Sequence, residues 1–248
     1  MSELVQWPMA RYWHRAWNPV IGCRAVSPAC EHCWARGWAD RFKRDFEPFE
    51  GGAKTPPRKG VVFVGNMTDM WGEWATGTPF YLGEAVGAAM REGAKLTFLW
   101  LTKRAGRMAA MLDALPLPHI SRDMLSPQYF GFTAENQEWF AKRGMEVLKN
   151  FPKWANLWVS MEPLLGPIEA PITGLSPLPK WVVVGCESGP HRRPCKVEWV
   201  ERIVEQCRSA GVPVFVKQLD LGGKCVTDIE RFPEHLRIRQ VPWKSWKL

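Results

Sequence analysis

The stretch LTFLWLTKRAGRMAAMLDAL, residues 96–115, sets the reading of the fold. It opens on an apolar run without alternation. It passes through the polar turn Thr102-Lys103-Arg104 and continues with apolar residues at helical spacing. A short run that is apolar on both faces suits a parallel strand covered by helices. The same order recurs on either side. The pattern predicts strands at Val61–Gly65, Leu96–Leu101, Tyr129–Phe132, Leu157–Ser160, Trp181–Gly185 and Val212–Val216, and an extended segment before Gly22. It predicts helices over Glu31–Phe42, Pro79–Arg91, Ala105–Leu115, Asn136–Leu148 and Val197–Ala210. Gly211 ends the last helix and Pro213 bars its continuation. Six or seven βα steps without a Gly-rich dinucleotide loop predict an α/β fold, a complete or partial TIM-like (β/α) barrel, rather than a doubly wound sheet. Arg44–Gly60, Pro116–Gln128 and Gly166–Pro179 read as long loops. A single domain is expected over residues 1–248, with 222–248 as a C-terminal extension that wraps the barrel or covers one end.

Composition narrows the class. The chain has 248 residues, of which 46% are hydrophobic, enough for one large core and too apolar for disorder. No apolar run is long enough to span a bilayer, and the N-terminus lacks the basic-then-apolar pattern of a secretory signal. A cytoplasmic location follows as the expectation. The formal charge of +8 favours a polyanionic partner, with an anionic small substrate or simple solubility as alternatives. Fifteen tryptophans supply core, and any exposed ones can stack on bases.

Seven cysteines in a reducing compartment do not suggest a disulfide framework. Three stand close together in WNPVIGCRAVSPACEHCWARGWADRF, residues 17–42, with the spacing C-x6-C-x2-C at Cys23, Cys30 and Cys33. Three thiolates on one loop can hold three irons of a [4Fe-4S] cubane. The fourth iron is then open to the amino and carboxylate groups of S-adenosyl-L-methionine. Electron transfer into the sulfonium would yield a 5'-deoxyadenosyl radical, chemistry that belongs to the cofactor. A zinc site is the rival: Cys30-x2-Cys33 is a common half-site, and His32 or Cys23 could complete it. No second C-x2-C pair is present. Trp34 follows the last cysteine, where it can cover a cluster, contact an adenine or pack in the core.

In these residues the chain resembles the radical S-adenosylmethionine superfamily. Within it, it is similar to a phage-associated three-cysteine-motif family of unknown function. The likeness is carried by WNPVIGCRAVSPACEHCWA, FVGNMTDMWGEW, VSMEPLLGPIEA and VVVGCESGPHRRPCKVEWVERIVEQCRSAGVPVFVKQLD. With the strands between them, these cover most of residues 14–220. The first gap departs from the usual C-x3-C-x2-C. Cys186 stands where relatives often carry Gly, and Trp34 where some carry Tyr. The resemblance implies a barrel of the radical type, a [4Fe-4S] cluster with S-adenosyl-L-methionine, and an external electron donor such as flavodoxin or ferredoxin.

It also implies that the loop after the Val61 strand serves the cofactor's amino group. That loop carries Asn66, Thr68 and Asp69. Asp69 could accept from an ammonium or a ribose hydroxyl, or could instead form an Asx turn. Strand ends at a barrel mouth supply the other candidates. Lys103 and Arg104 suit a carboxylate or phosphate. Glu135 and Asn136 face a cofactor ribose or cap the next helix. Glu162 binds cofactor or positions a substrate amine, with a structural hydrogen bond as the alternative. Glu187, Ser188, Arg192 and Arg193 form a loop able to clamp phosphate, or an ordinary turn. Lys217 can neutralise a carboxylate or phosphate, and Gln218 suits a base edge. Cys186 and Cys195 could supply a hydrogen atom, ligate an auxiliary cluster, or do nothing chemical. Cys207 reads as packing.

The leading expectation is a radical enzyme that modifies or rearranges a nucleobase, in DNA or as a nucleotide. Glu162 and Lys217 are its candidate catalytic residues. A base in duplex DNA would have to be flipped out. The alternatives are a radical enzyme for a small metabolite and a zinc-stabilised nucleic-acid-binding protein. The oligomeric state is left open.

Overall fold

The computed structural model describes residues 5–115 and 127–243. The strands are β1 (Val5–Gln6), β2 (Arg15–Trp17), β3 (Val20–Ile21), β4 (Phe49–Glu50), β5 (Gly60–Val64), β6 (Leu96–Thr102), β7 (Gln128–Thr133), β8 (Asn156–Met161), β9 (Trp181–Gly185), β10 (Val214–Leu221), β11 (Lys224–Val226) and β12 (Gln240–Val241). The helices are α1 (Trp34–Arg41), α2 (Thr78–Glu92), α3 (Ala105–Asp113), α4 (Gln137–Asn150) and α5 (Val197–Ala210).

Eight strands form one open sheet in the order β11-β10-β9-β8-β7-β6-β5-β2. From β2 to β10 all neighbours are parallel, and β11 adds an antiparallel edge. The sheet is a curled half barrel, so the coarse expectation of a partial (β/α) barrel holds. The strands are apolar on both faces because both are covered. Val62, Phe98, Phe130, Val159, Val182 and Val214 pack towards the helices. Their sequence neighbours Val61, Leu99, Tyr129, Trp158, Val183 and Phe215 pack on the concave side. There they meet Trp7 and Tyr12 from the N-terminal segment and Val241 and Trp243 from the C-terminal one. Strand pairing of β1 with β12 ties these two segments together. The concave side is thus filled with indole and phenol rings at its base, and several of the tryptophans are used there.

Local chemistry explains most element ends. Asn136 caps α4 by accepting from the Trp139 amide at 3.1 Å. Gly211 adopts a left-handed conformation (φ 66°) that ends α5. The cysteine-loop helix is shorter than Glu31–Phe42. Pro28–Cys30 forms a 3-10 turn instead, and Cys33 is extended, so α1 begins at Trp34. The last parallel strand is the reverse case. It starts at Val214, not Val212, and runs on through Lys217 and Gln218 to Leu221. Its pairing with β9 slips between Val216 and Gln218, a bulge centred on Lys217. Arg44–Gly60 is not all loop, since β4 lies within it and pairs with β3. Gly166–Pro179 is irregular apart from the turn Ile172–Gly174. The loop expected over Pro116–Gln128 falls mostly outside the described residues. After Gly222 the chain adds β11 to the sheet edge and returns through β12 to β1. No helix among the described residues is long and apolar enough to cross a membrane.

Candidate functional site

The carboxyl ends of the parallel strands open on a cavity of about 230 Å³. Parallel strands place their following loops at one end, so residues distant in sequence meet there. Asn66, Thr68 and Asp69 come from the β5 loop, Lys103 from β6, Glu162 from β8, Glu187 and Ser188 from β9, and Lys217 and Gln218 from β10. The loop after β3 closes the other side with Cys23, Cys30, Cys33 and Trp34. Four sequence candidates do not wall the cavity: Glu135, Asn136, Arg192 and Arg193.

Those that stand back have structural partners. Glu135 is fully buried, 2.5 Å from Arg143 Nη1, and accepts from the Ser27 hydroxyl at 2.5 Å. Asn136 is the helix cap already described. Arg193 forks onto Glu187 and also donates to the Pro28 carbonyl at 3.0 Å. Arg192 lies 3.7 Å from Asp220.

These contacts fasten the cysteine loop from several strands at once. Ser27 ties it to Glu135, and Arg193 ties Pro28 to Glu187. His32 Nδ1 lies 3.1 Å from Glu187 Oε2. Thr68 donates to the Gly22 carbonyl at 2.5 Å. Arg104 donates to the Arg24 carbonyl at 3.2 Å while ion-paired to Asp69 at 3.0 Å. Asp69 also accepts from Thr102 at 2.7 Å and from the amides of Trp71 and Lys103. The Trp71 contact is the local Asx geometry, so Asp69 knits the β5 and β6 loops together at the cavity wall. Burial would raise Glu187, but Arg193 and His32 hold its carboxyl below the usual range.

All three thiols are free and partly exposed. Burial, then the Asp69 charge, pushes the Cys23 thiol up to about 12. For Cys30 burial acts the same way but loses. Lys103, backbone hydrogen bonds from Val26 and Ser27, and the Ser27 side chain bring its thiol below the ordinary value. Among the described residues no three His, Cys, Asp or Glu side chains converge as a ready seat for a single metal ion. The donor chemistry fits an iron–sulfur group: soft thiols spread along one loop around an open cavity.

The opposite wall is a polar cluster. Lys217 Nζ lies 2.7 Å from Glu162 Oε1. Tyr12 and Ser160 both donate to Glu162 Oε2, at 3.1 and 3.2 Å. Ser160 and Glu162 share a face because they are two residues apart on an extended chain. Alternation would send Lys217 and Gln218 to opposite faces. The bulge at Lys217 breaks that alternation, and both wall the cavity. Lys217 also sits over the rings of Tyr12 and Trp13, at 5.7 and 5.8 Å. Burial, then the Glu162 charge, keeps the Tyr12 phenol protonated well above its usual value.

Sequence reasoning missed Tyr12, Ser27, Ser160 and Arg143. Only Ser160 carried a local signal, its spacing of two from Glu162. The other three act through partners far along the chain or across a helix.

Cys186 also walls the cavity, and its Sγ is 3.7 Å from that of Cys225. Burial raises the Cys186, Cys195 and Cys207 thiols, the last two to about 12.

Comparison with curated proteins and with solved structures gave no match. The family model described as "Protein of unknown function (DUF5131)" matches residues 9–240, which include the cysteine loop, every strand of the main sheet and both walls of the cavity, and the chain belongs to that family.

Proposed function

We propose that this protein is a radical S-adenosyl-L-methionine enzyme acting on a nucleobase, in DNA or as a nucleotide. Cys23, Cys30 and Cys33 would hold the [4Fe-4S] cluster. One observation carries the reading. Three free cysteines of a single loop wall the same cavity as the polar ends of six parallel strands, β5 to β10. When bound, the cluster and S-adenosyl-L-methionine supply one-electron reductive chemistry and hydrogen-atom abstraction, with the electron coming from a donor such as flavodoxin or ferredoxin.

The chain's own residues then have separate tasks. Glu135, Glu187 and Asp69, each held by an arginine, fix the cysteine loop. Lys103 biases Cys30 towards the thiolate that a metal requires. Glu162 and Lys217 form a charged pair whose carboxylate is oriented by Tyr12 and Ser160. That pair can receive the amino and carboxylate groups of the cofactor. Gln218 offers a donor and an acceptor to a base edge, although its amide also donates to the Cys186 carbonyl at 2.7 Å.

The test is anaerobic purification with iron and sulfide reconstitution, followed by reductant and S-adenosyl-L-methionine. Formation of deoxyadenosine in the native protein, and its loss in Cys30→Ala, is the expected result. Stoichiometric zinc with no iron–sulfur absorbance and no cofactor cleavage would overturn the proposal in favour of a zinc-stabilised binding protein.

A further inference from the structure

A second cavity, of about 260 Å³, lies beside the first. It is lined by Lys103, Arg104, Arg107, Lys142 and Arg143, with Trp139 and one carboxylate, Glu146. Lys103, Arg104 and Val26 of the cysteine loop line both cavities, so the two are adjacent. The charge in this groove is not balanced by its neighbours. Arg104 is paired with Asp69, and Arg143 with Glu135. Glu146 accepts from the Gly106 amide at 3.0 Å. Among the described residues no carboxylate lies within ion-pair distance of Lys103, Arg107 or Lys142. Arg143 is only 1% exposed, and its Nη2 has no hydrogen-bond partner. It is stacked at 4.3 Å on Trp139, with Lys142 at 4.7 Å over the same ring.

Three cations without a carboxylate partner line one open concavity, and an anion among them would relieve their mutual repulsion. Arginine forks and lysine ammonium groups suit phosphate oxygens. One lining side chain, Arg143, is buried with its Nη2 unpartnered, which suits a phosphate oxygen better than the flat face of another protein. From these features we infer that this groove binds the phosphate ester of the nucleotide whose base enters the first cavity. Lys103 stands at the junction and faces both. The inference rests on the proposed function for its substrate, but the groove can be tested without any cofactor.

The experiment is fluorescence anisotropy of a short labelled single-stranded DNA, without S-adenosyl-L-methionine, at several salt concentrations. The test variant is Arg107→Glu/Lys142→Glu, both exposed positions on helices. The control is Lys153→Glu, an exposed residue beyond the other end of α4. The double variant is expected to bind about tenfold more weakly or worse. Its slope of log affinity against log salt should be shallower by ~1.4, from ~0.7 per lost strand contact. The control should match the native protein. Competition then identifies the source of the phosphate. Displacement by unlabelled oligonucleotide alone assigns a polynucleotide backbone, and equal displacement by deoxynucleoside monophosphates assigns a free nucleotide.

Equal binding by native protein and double variant would overturn the inference. So would absence of oligonucleotide and nucleotide binding together with slowed reduction of the variant's cluster by flavodoxin, which would make the groove a docking site for an acidic redox protein. Deoxyadenosine formation by native protein that binds no phosphate ester removes the groove and keeps the radical class. Groove-dependent binding without cofactor cleavage does the reverse.

Discussion

Glu135 and Glu162 follow the ends of the neighbouring strands β7 and β8, yet their surroundings differ. Thr133 of β7 is in register with Ser160 of β8, and each glutamate follows two residues later. Each also meets a cation. Glu135 meets Arg143 from α4, and both side chains are sealed, at 0% and 1% exposure. Glu162 meets Lys217 from the bulge of β10, and both remain open to the cavity, at 11% and 25%. The partner's element decides the role. A cation from the covering helix draws one carboxylate into the body of the protein, where it holds Ser27 and the cysteine loop. A cation from the sheet itself leaves the other at the cavity wall.

The sharpest way to break this contrast is to remove one member of the sealed pair. Arg143→Leu leaves Glu135 buried without its counter-charge, and should cost about 3–5 kcal/mol of unfolding free energy. Urea denaturation measures it, and a loss below about 1 kcal/mol would mean that the pair is not the anchor described here. The open pair should behave differently. On the proposed function, Lys217→Met is expected to reduce S-adenosyl-L-methionine cleavage on the order of a hundredfold, by misplacing a reacting group, while the urea midpoint moves little. Equal damage to folding and activity would erase the distinction between the two regions.

A smaller effect is expected at the second anchor. Arg193→Ala removes the fork on Glu187 and the tie to Pro28, and should cost about 1–2 kcal/mol because Arg193 is partly exposed. It also carries a pH signature. Glu187 is held below its ordinary 4.5. Its ionised form therefore contributes stability that is complete above about pH 4.5 and is lost as the pH falls through the lower folded value. The native protein should lose stability with acid in that window more steeply than Arg193→Ala. Parallel acid profiles for the two proteins would count against the assignment. The smallest effect belongs to Trp34→Ala. Trp34 is 53% exposed at the cavity rim, and its removal should change stability by no more than about 0.5 kcal/mol. A larger loss in thermal unfolding would show that the ring supports the loop rather than capping it.

Much of the scaffold was legible because parallel strands buried on both faces leave unbroken apolar runs. Trp181–Gly185 and Val197–Ala210 could be bounded to the residue, and Gly211 ends the helix locally. The cysteine loop was equally plain, as its three thiols lie within a short stretch. The sorting of charged strand ends was not. Asp69, Glu135, Glu162 and Glu187 look alike in the sequence, each polar after an apolar strand. Three are tied to arginines that fasten loops, and the fourth is paired with Lys217 and oriented by Tyr12 and Ser160.

The sequence by itself determined the order of the parallel strands and of the helices between them, and the presence of three clustered thiols. Those properties follow from local periodicity and spacing. Only the tertiary structure decided that the sheet is an open half barrel, because closure depends on which strands find partners at the edges. It also decided that Tyr12 reaches Glu162 across 150 positions, and that Lys217 shares a wall with Gln218. A long-range hydrogen bond leaves no periodic trace, and a one-residue bulge overturns the alternation on which any reading of a strand depends.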